Sequence, residues 1–268
     1  MKTDNLSILI PALKNSFIFQ DVLVKKLSGV SLIQRTINKA INLGVDPIDI
    51  HIITESEEIN MIGRRNGVEV YWKNSELTWS EDKKFGKLSQ YLKKLAKSST
   101  YTLLLSPYAP LLKIELVNNA LKAFIESKKD ILKPVKLVEK TLYDENGHSI
   151  FERLFSTTKE THRIESKAFM LLKSGILRKG FDYKSSIFSW PVQNDLFEID
   201  SYQDWWVCEK LLQRKRIVFR VIGNENVGMG HIYRTLSLAH EITDHEILFV
   251  SDKNHKVALN KLALLISS

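Results

Sequence analysis

The chain is poor in cysteine, with one, Cys208, among 268 residues. A single thiol cannot form an intramolecular disulfide or supply a thiolate metal cluster, and it is typical of a reducing compartment, so we expect a cytoplasmic protein. A run of about 18 consecutive apolar residues is also lacking, and the short run at 8–13 follows charged residues. We therefore expect neither a signal peptide nor a membrane span.

Glycine and proline are few, at 11 and 6 residues, while 44% of the chain is hydrophobic and 26% is charged. This composition is typical of a folded globular protein and excludes a collagen-like or low-complexity chain. The formal net charge of +8 suits an anionic partner such as a nucleotide. The lysines are spread along amphipathic stretches without a recognition motif for nucleic acid, so we expect no nucleic-acid partner.

Strand-like apolar runs alternate with helical periodicities along most of the chain. Strands are predicted at 6–12, 48–54, 68–72, 101–105 and 130–138, and helices at 31–43, 84–96, 115–126 and 201–212. This alternation predicts a mostly parallel sheet with helices on both faces. Because such sheets bind ligands at the carboxyl ends of their strands, the loops after Ala12, Thr54 and Leu105 are the first candidates for a site.

A second βαβ pattern follows the basic run at 214–216. It consists of a strand at 217–221, a glycine-containing loop at 223–230, a helix at 232–242 and a strand at 247–250. We therefore predict domains at residues 1–214 and 215–268. The second is too short to complete a Rossmann-like domain, so it is either a piece of a longer fusion or a tail that docks on the first domain.

Four ordered blocks of residues 1–212 resemble the acylneuraminate (CMP-sialic acid type) cytidylyltransferases. They are Ile-Pro-Ala at 10–12 with Leu-Ser-Gly-Val-Ser-Leu at 27–32, Ile-Thr-Glu-Ser-Glu-Glu-Ile at 53–59, Leu-Leu-Ser-Pro-Tyr-Ala-Pro-Leu at 104–111, and Glu-Ile-Asp-Ser at 198–201 before Asp204 and Trp205. The resemblance implies a Rossmann-like nucleotidyltransferase three-layer sandwich. It also implies CTP as substrate, Mg²⁺ as cofactor, a nonulosonic acid (sialic, legionaminic or pseudaminic type) as acceptor and, by analogy, a homodimer.

The same resemblance assigns candidate site residues. Lys14 and Ser16 in the first loop and Pro107 in the third block would contact the nucleotide. Glu198 and Asp200 lie two apart on an extended segment, so their side chains face the same way and could share a Mg²⁺ with the triphosphate. The structural alternative is that Asp200 or Ser201 caps the following helix, with Asp204 completing a capping box.

Several positions where the family contacts phosphate or base carry other residues here. They are Leu13, Asn15 and Phe17 in the first loop, Val22 and Leu23 in place of a lysine–asparagine pair, and Ser106 and Leu112 in the third block. These changes delete cations and donors that neutralise the transferring phosphate. Two functions therefore stay open: a cytidylyltransferase that transfers CMP from CTP to the sugar and releases pyrophosphate, or a catalytically degenerate nucleotide-sugar-binding or scaffold domain fused to a hydrolase- or glycosyltransferase-like domain.

Residues 216–268 resemble the start of the nucleotide-sugar hydrolases of the pseudaminic acid pathway. The likeness lies in the Gly-Met-Gly-His sequence at 228–231 and in Arg234. It implies that Gly228, Gly230 and Arg234 contact the nucleotide sugar at a helix N-terminus. His231 would be the general base, provided that the hydrolase-like domain is complete.

Overall fold

The structure is a computed structural model that describes residues 5–13, 20–72, 91, 92, 94, 95, 99–139, 143, 145, 146, 161–179, 185–192, 196–222 and 230–252. The chain divides into two units, residues 1–208 and residues 209–268. This division falls inside the helix Tyr202–Gln213. The sequence places its boundary at residue 214, just after that helix, and this boundary stays a prediction.

One eight-stranded sheet organises the first unit. Its strands, with a small separate hairpin of β2 and β3, are β1 (Leu6–Pro11), β2 (Lys26–Leu27), β3 (Val30–Ser31), β4 (Ile50–Thr54), β5 (Glu69–Trp72), β6 (Tyr101–Leu105), β7 (Ile131–Glu139), β8 (Thr161–Glu165), β9 (Phe169–Lys173) and β10 (Ile187–Val192). The spatial order is β10-β7-β9-β6-β1-β4-β5, with β8 beside β7. The chain therefore starts in the middle of the sheet and builds outward in both directions.

Most neighbouring strands of this sheet run parallel. β1 pairs in parallel with β4 and β6, β4 with β5, and β7 with β10, whereas β9 runs antiparallel to β6 and β7 and β8 runs antiparallel to β7. The predicted mostly parallel α/β sheet is thereby confirmed. The carboxyl ends of β1, β4 and β6 meet at one edge, and the register Leu105 to Phe169 places the start of β9 at the same edge.

The helices that accompany these strands include those predicted at 31–43, 115–126 and 201–212, together with shorter ones at 57–65 and 175–179 that the periodicity did not predict. They are α1 (Leu32–Asn42), α2 (Glu57–Arg65), α3 (Ile114–Ser127), α4 (Gly175–Lys179) and α5 (Tyr202–Gln213). Ser31 and Ser56 cap α1 and α2 through their side-chain oxygens. After α1, Gly44 has φ +78°, a left-handed conformation that a glycine adopts without strain. Of the helix predicted at 84–96, residues 91, 92, 94 and 95 are described and are helical.

The core of the first unit is made by the apolar faces of the central strands and of the helices that cover them. Ile8, Ile52 and Leu103 are fully buried on β1, β4 and β6, and each buried side chain of this size contributes roughly 1.5–3 kcal/mol. At Gly63 a Cβ atom would lie 2.5 Å from a methyl group of Val70. The close approach of α2 to the sheet therefore requires a glycine there.

The second unit contains β11 (Arg216–Arg220), α6 (Gly230–Glu241) and β12 (Glu246–Val250), which confirms the predicted βαβ pattern. β11 and β12 pair in parallel. α6 covers one face of this pair, where its buried Ile232 and Leu236 pack with Phe219 and Phe249. On the two strands, Val218, Leu248 and Val250 are exposed. No helix of the described residues in either unit is long and apolar enough to cross a membrane.

Candidate functional site

Three chain segments meet at the carboxyl edge of the first unit's sheet, next to the end of β6. They are the loop after β6 (106–113), the connection between β8 and β9 (166–168), and the segment that precedes α5 (196–200). The backbone N–H of Ser106 donates to the carbonyl of Ala168 at 3.0 Å, and the N–H of Ile199 donates to the carbonyl of Tyr108 at 2.9 Å. These bonds make the loop after Leu105, one of the three predicted locations, the centre of the candidate site.

Glu198 is held in place by three donors. Its Oε1 accepts from the Ser166 hydroxyl at 2.5 Å and lies 3.2 Å from the Lys136 Nζ, and its Oε2 accepts from the Lys167 backbone N–H at 2.9 Å. The Glu198 side chain is 10% exposed. Three donors fix this largely buried carboxylate, because loss of any one of these bonds would leave a buried polar group without a partner, which costs free energy. Lys136 and Ser166 could not be predicted as partners from the sequence, since neither lies near Glu198 along the chain.

Asp200 lies at the start of α5 without acting as the cap of that helix. The Ser201 hydroxyl accepts from the Asp204 N–H at 3.2 Å and donates to the Asp204 carboxylate at 2.7 Å. That carboxylate also accepts from the Asp200 N–H at 3.1 Å. Of the two caps considered from the sequence, Ser201 with Asp204 is therefore the one that forms, and the Asp200 side chain is exposed.

The donor set at this edge suits one particular mode of Mg²⁺ binding. No group of three or more His, Cys, Asp or Glu side chains that could hold a metal occurs in the described ranges. Mg²⁺ is commonly bound through one or two protein carboxylates together with substrate phosphates and waters. The exposed Asp200 carboxylate fits that mode, whereas the oxygens of Glu198 already accept from protein donors.

Lys39 of α1 reaches the loop after β6, a contact that we did not predict. Its Nζ donates to the carbonyls of Ala109 and Pro110 at 2.7 and 2.6 Å. Burial, followed by the nearby Arg35 guanidinium, lowers the pKa of Lys39 to about 7, while Cys208 acts in the opposite direction. Pro107, the predicted contact residue, is buried in the same loop.

A sequence signal for Lys39 does exist. Leu32, Thr36 and Leu43 are buried on α1 and its C-terminal cap. Position 39 is three residues after Thr36 and four before Leu43, so it lies on the same buried face of the helix. A lysine on a buried stripe needs a polar partner. The pattern thus indicates an interior contact, although it does not say with which segment.

Of the seven positions that differ from the resembled family, the structure describes five, and three of these are buried in the core, whereas Asn15 and Phe17 lie outside the described residues. Val22, Leu23 and Leu112 are 1%, 2% and 4% exposed, and the partly buried Leu13 packs against the core cluster that contains Leu9. Ser106 accepts from the Tyr108 N–H at 3.2 Å and so closes its own turn. These side chains contribute packing and turn geometry, and the apolar ones offer no donor to a phosphate.

The remaining predicted site residues fall into two groups. Lys14, Ser16 and Gly228 lie outside the described residues. In the second unit, His231 is exposed on the first turn of α6, with its Nδ1 3.5 Å from the Ile222 N–H. The Arg234 Nε donates to the Gly230 carbonyl at 3.3 Å. A Cβ atom at Gly230 would meet nothing within 4 Å, so the described packing does not require a glycine there.

No protein-family model and no curated protein matches the chain. A solved CMP:2-keto-3-deoxy-manno-octonic acid synthetase complexed with CTP matches with a TM-score of 0.59 at 11% identity, over 78% of this chain and 98% of that one. A 4-diphosphocytidyl-2C-methyl-D-erythritol synthase from Anaerococcus prevotii DSM 20548 matches with 0.53 at 13% identity, over 79% and 99%. A cytidylyltransferase from Leptospira borgpetersenii serovar Hardjo-bovis matches with 0.50 at 13% identity, over 90% and 97%.

These likenesses, at 11–13% identity, establish the fold. The chain has the Rossmann-like α/β fold of cytidylyltransferases, which confirms the fold predicted from its sequence. The narrower resemblances, to the acylneuraminate enzymes and to the hydrolases, stay predictions.

Proposed function

We propose that residues 1–214 bind CTP and a nonulosonic acid at the carboxyl edge of the sheet and transfer CMP to the sugar. The observation that carries the proposal is that different residues cap α5 and present an exposed carboxylate beside it. Ser201 and Asp204 cap the helix, and this leaves the Asp200 carboxylate exposed at the strand edge where sheets of this type bind ligands. A carboxylate in that place suits a magnesium-bound triphosphate.

In this reaction the anomeric hydroxyl oxygen of the sugar forms a bond to the α-phosphorus, the bond to the β-phosphate oxygen breaks, and pyrophosphate leaves. The hydroxyl proton passes to solvent. Asp200 would hold the Mg²⁺, which neutralises charge on the phosphates when bound. Glu198 keeps the segment before α5 in position through Ser166 and Lys167. The Lys136 ammonium beside it, 36% exposed, is suited to an acidic sugar or a phosphate.

A catalytically degenerate nucleotide-sugar-binding or scaffold domain is the second candidate. The burial of Val22, Leu23 and Leu112 favours it, because side chains in the core cannot be donors to the transferring group. Loss of one such donor commonly slows turnover by about 10²–10³-fold, or roughly 2.7–4 kcal/mol. We therefore expect nucleotide binding to survive better than transfer does.

The second unit enters the proposal as the beginning of a nucleotide-sugar hydrolase-like domain. There Gly228, Gly230 and Arg234 would contact the sugar nucleotide and His231 would act as general base. These roles require the rest of such a domain, since one βαβ unit provides only part of a double Rossmann site. The protein would act in the cytoplasm, in the biosynthesis of glycans that contain nonulosonic acids, and it would form a homodimer.

The test is a calorimetric titration of the purified chain with CTP and Mg²⁺, repeated on Asp200→Ala. Glu126→Ala is the matched control, because it removes an exposed carboxylate of α3 far along the chain from the site. We expect saturable, Mg²⁺-dependent binding that the control keeps and Asp200→Ala loses. A pyrophosphate-release assay with nonulosonic acids then decides between the two candidates. Absence of binding at millimolar CTP would contradict both the proposed CMP transfer and the nucleotide-binding alternative.

A further inference from the structure

The loop after β6 is tied to α1 by a single side chain that is distant in sequence. The Lys39 Nζ donates to the carbonyls of Ala109 and Pro110, 70 and 71 residues further along the chain. The Ala109 carbonyl also accepts from the Leu112 N–H at 3.2 Å. Two successive carbonyls thus point at one ammonium, which is half-buried beneath the loop.

The composition of this loop explains why it needs such a tie. Pro107 and Pro110 have no backbone N–H, so they cannot contribute donors to hold the turn. The carbonyls of Ala109 and Pro110 instead take their donor from Lys39. Hydrogen bonds from an ammonium are roughly twice as strong as bonds between neutral groups, so the charged lysine holds the loop more firmly than a neutral amine does.

The same loop supports the segment that carries the candidate Mg²⁺ ligand. The Tyr108 carbonyl accepts from the N–H of Ile199, which stands between Glu198 and Asp200. We propose that Lys39 is a positioning residue for the nucleotide site, fixing the loop 106–110 and, through Ile199, the backbone next to Asp200. This inference rests on the proposed function and adds to it a residue that touches neither nucleotide nor metal.

The ionisation of Lys39 gives this role a measurable signature. Burial and the Arg35 guanidinium one turn earlier lower its pKa to about 7, and Cys208 of α5 opposes them; the loop faces the ammonium with carbonyls. Because the unfolded chain keeps this lysine charged up to about pH 10.4, the unfolded state binds more protons between the two values. Lys39 therefore makes the folded state more stable as pH rises through that window.

CTP affinity is expected to change in the opposite direction over the same pH range. When Lys39 loses its proton the ammonium bonds to the loop weaken, so the site becomes less well ordered while the fold becomes more stable. A residue with only a structural role would move stability and affinity together. The opposite signs are what distinguish positioning from general support of the fold.

The experiment compares the wild type with Lys39→Met, Lys39→Arg and Lys129→Met. Lys129→Met is the matched control, since Lys129 is exposed after α3. Two quantities are measured between pH 6 and pH 9: the CTP dissociation constant with Mg²⁺, and hydrogen exchange of the Ser106, Leu112 and Ile199 amides. Each is expressed as a ratio to Lys39→Met at the same pH, which cancels the titration of CTP and the intrinsic exchange rates.

We expect Lys39→Met to bind CTP on the order of tenfold more weakly at pH 6, with a ratio to wild type that shrinks toward pH 9. Exchange should accelerate at the three loop and segment amides and stay unchanged on β4. Lys39→Arg should keep its affinity at pH 9, because arginine does not titrate there. If the Lys39→Arg variant does not fold, the ratio of the CTP dissociation constants of the wild type and Lys39→Met decides alone.

A pH-independent ratio of affinities, or faster exchange on β4 to the same extent as in the loop, would overturn the inference. If the wild type binds no CTP, the proposed function fails separately. The inference about Lys39 then depends on exchange alone: local acceleration that is largest at low pH supports it, and no acceleration overturns it.

Discussion

Two groups of residues at the carboxyl edge of one sheet have opposite characters. Val22, Leu23 and Leu112 stand where the resembled family contacts phosphate or base, and here they are buried apolar side chains. Around Glu198, by contrast, Lys136 and Ser166 form a connected polar cluster. The first group contributes to the stability of the unit, while the second orders the segment beside Asp200.

The two groups differ in how strongly their members depend on one another. A phosphate contact that one side chain makes is lost when that residue is replaced by an apolar one, which can then pack in the core. The polar cluster depends on side chains and backbone groups from three segments, so each member constrains the others. The apolar group predicts large effects on stability, whereas the polar group predicts smaller ones and an effect on binding.

The largest effect is expected for Leu23→Ala. The side chain is 2% exposed, and truncation of a buried leucine costs about 2–5 kcal/mol through lost burial and the cavity that remains. Urea denaturation measures the loss, with Leu23→Met as the volume-conserving control at less than about 1.5 kcal/mol. A loss under about 1 kcal/mol for Leu23→Ala would show that position 23 is not part of the core.

Glu198→Gln should have the next largest effect. The amide keeps an acceptor for Ser166 but removes the charge beside Lys136, so we expect a loss of about 1–3 kcal/mol in the free energy of unfolding. The control is Glu165→Gln, which breaks the more exposed pair of Glu165 with Lys133 at 2.8 Å. Exposed pairs contribute about 0–1 kcal/mol. Equal losses in both variants would remove the distinction between this cluster and an ordinary surface ion pair.

A smaller and more selective contrast is expected between two neighbouring aspartates. Asp204→Ala removes the partner of the Ser201 cap and should cost about 1 kcal/mol in stability. Asp200→Ala should change stability by less than about 0.5 kcal/mol, as is usual for an exposed side chain. Thermal unfolding of both variants without nucleotide is the measurement. A larger loss for Asp200→Ala would mean that its carboxylate is structural.

The smallest effect is expected at the opposite edge of the sheet, and it changes with pH only in acid. Hydrogen bonds from the backbone N–H and hydroxyl of Ser186, with the Lys173 ammonium, hold the pKa of Asp130 well below its usual range. This stability is present above the unfolded pKa of about 3.9 and is lost as pH falls toward the folded value. The difference between wild type and Asp130→Asn should be constant at pH 5–7 and shrink below about pH 4. A difference that grows in acid would contradict this sign.

Much of the fold could be predicted because its signals are local. The apolar run that ends before Ser106 bounds β6, and Gly44 ends α1 in a left-handed conformation, as predicted. The loop after Leu105 was predicted as a site from the direction of parallel strands alone. Each of these inferences uses residues adjacent in the chain.

The contacts that make up the site could not be predicted in the same way. Ser166 and Glu198 lie 32 residues apart, and Lys39 and Ala109 lie 70 apart. No local pattern specifies such a pairing, because it depends on strand order and register. The choice between Asp200 and Ser201 as helix cap was open in the sequence for a related reason, since both residue types are good caps.

The single thiol of the chain offers a different kind of access to α5. Cys208 is fully buried in this helix, which also begins beside Asp200. A thiol reagent can label it only after the helix opens locally, so the labelling rate reports how often that opening occurs. With one cysteine in the chain, every labelling event reports on α5. The rate at which the helix next to the proposed metal ligand opens can therefore be measured in the native protein without introducing a probe.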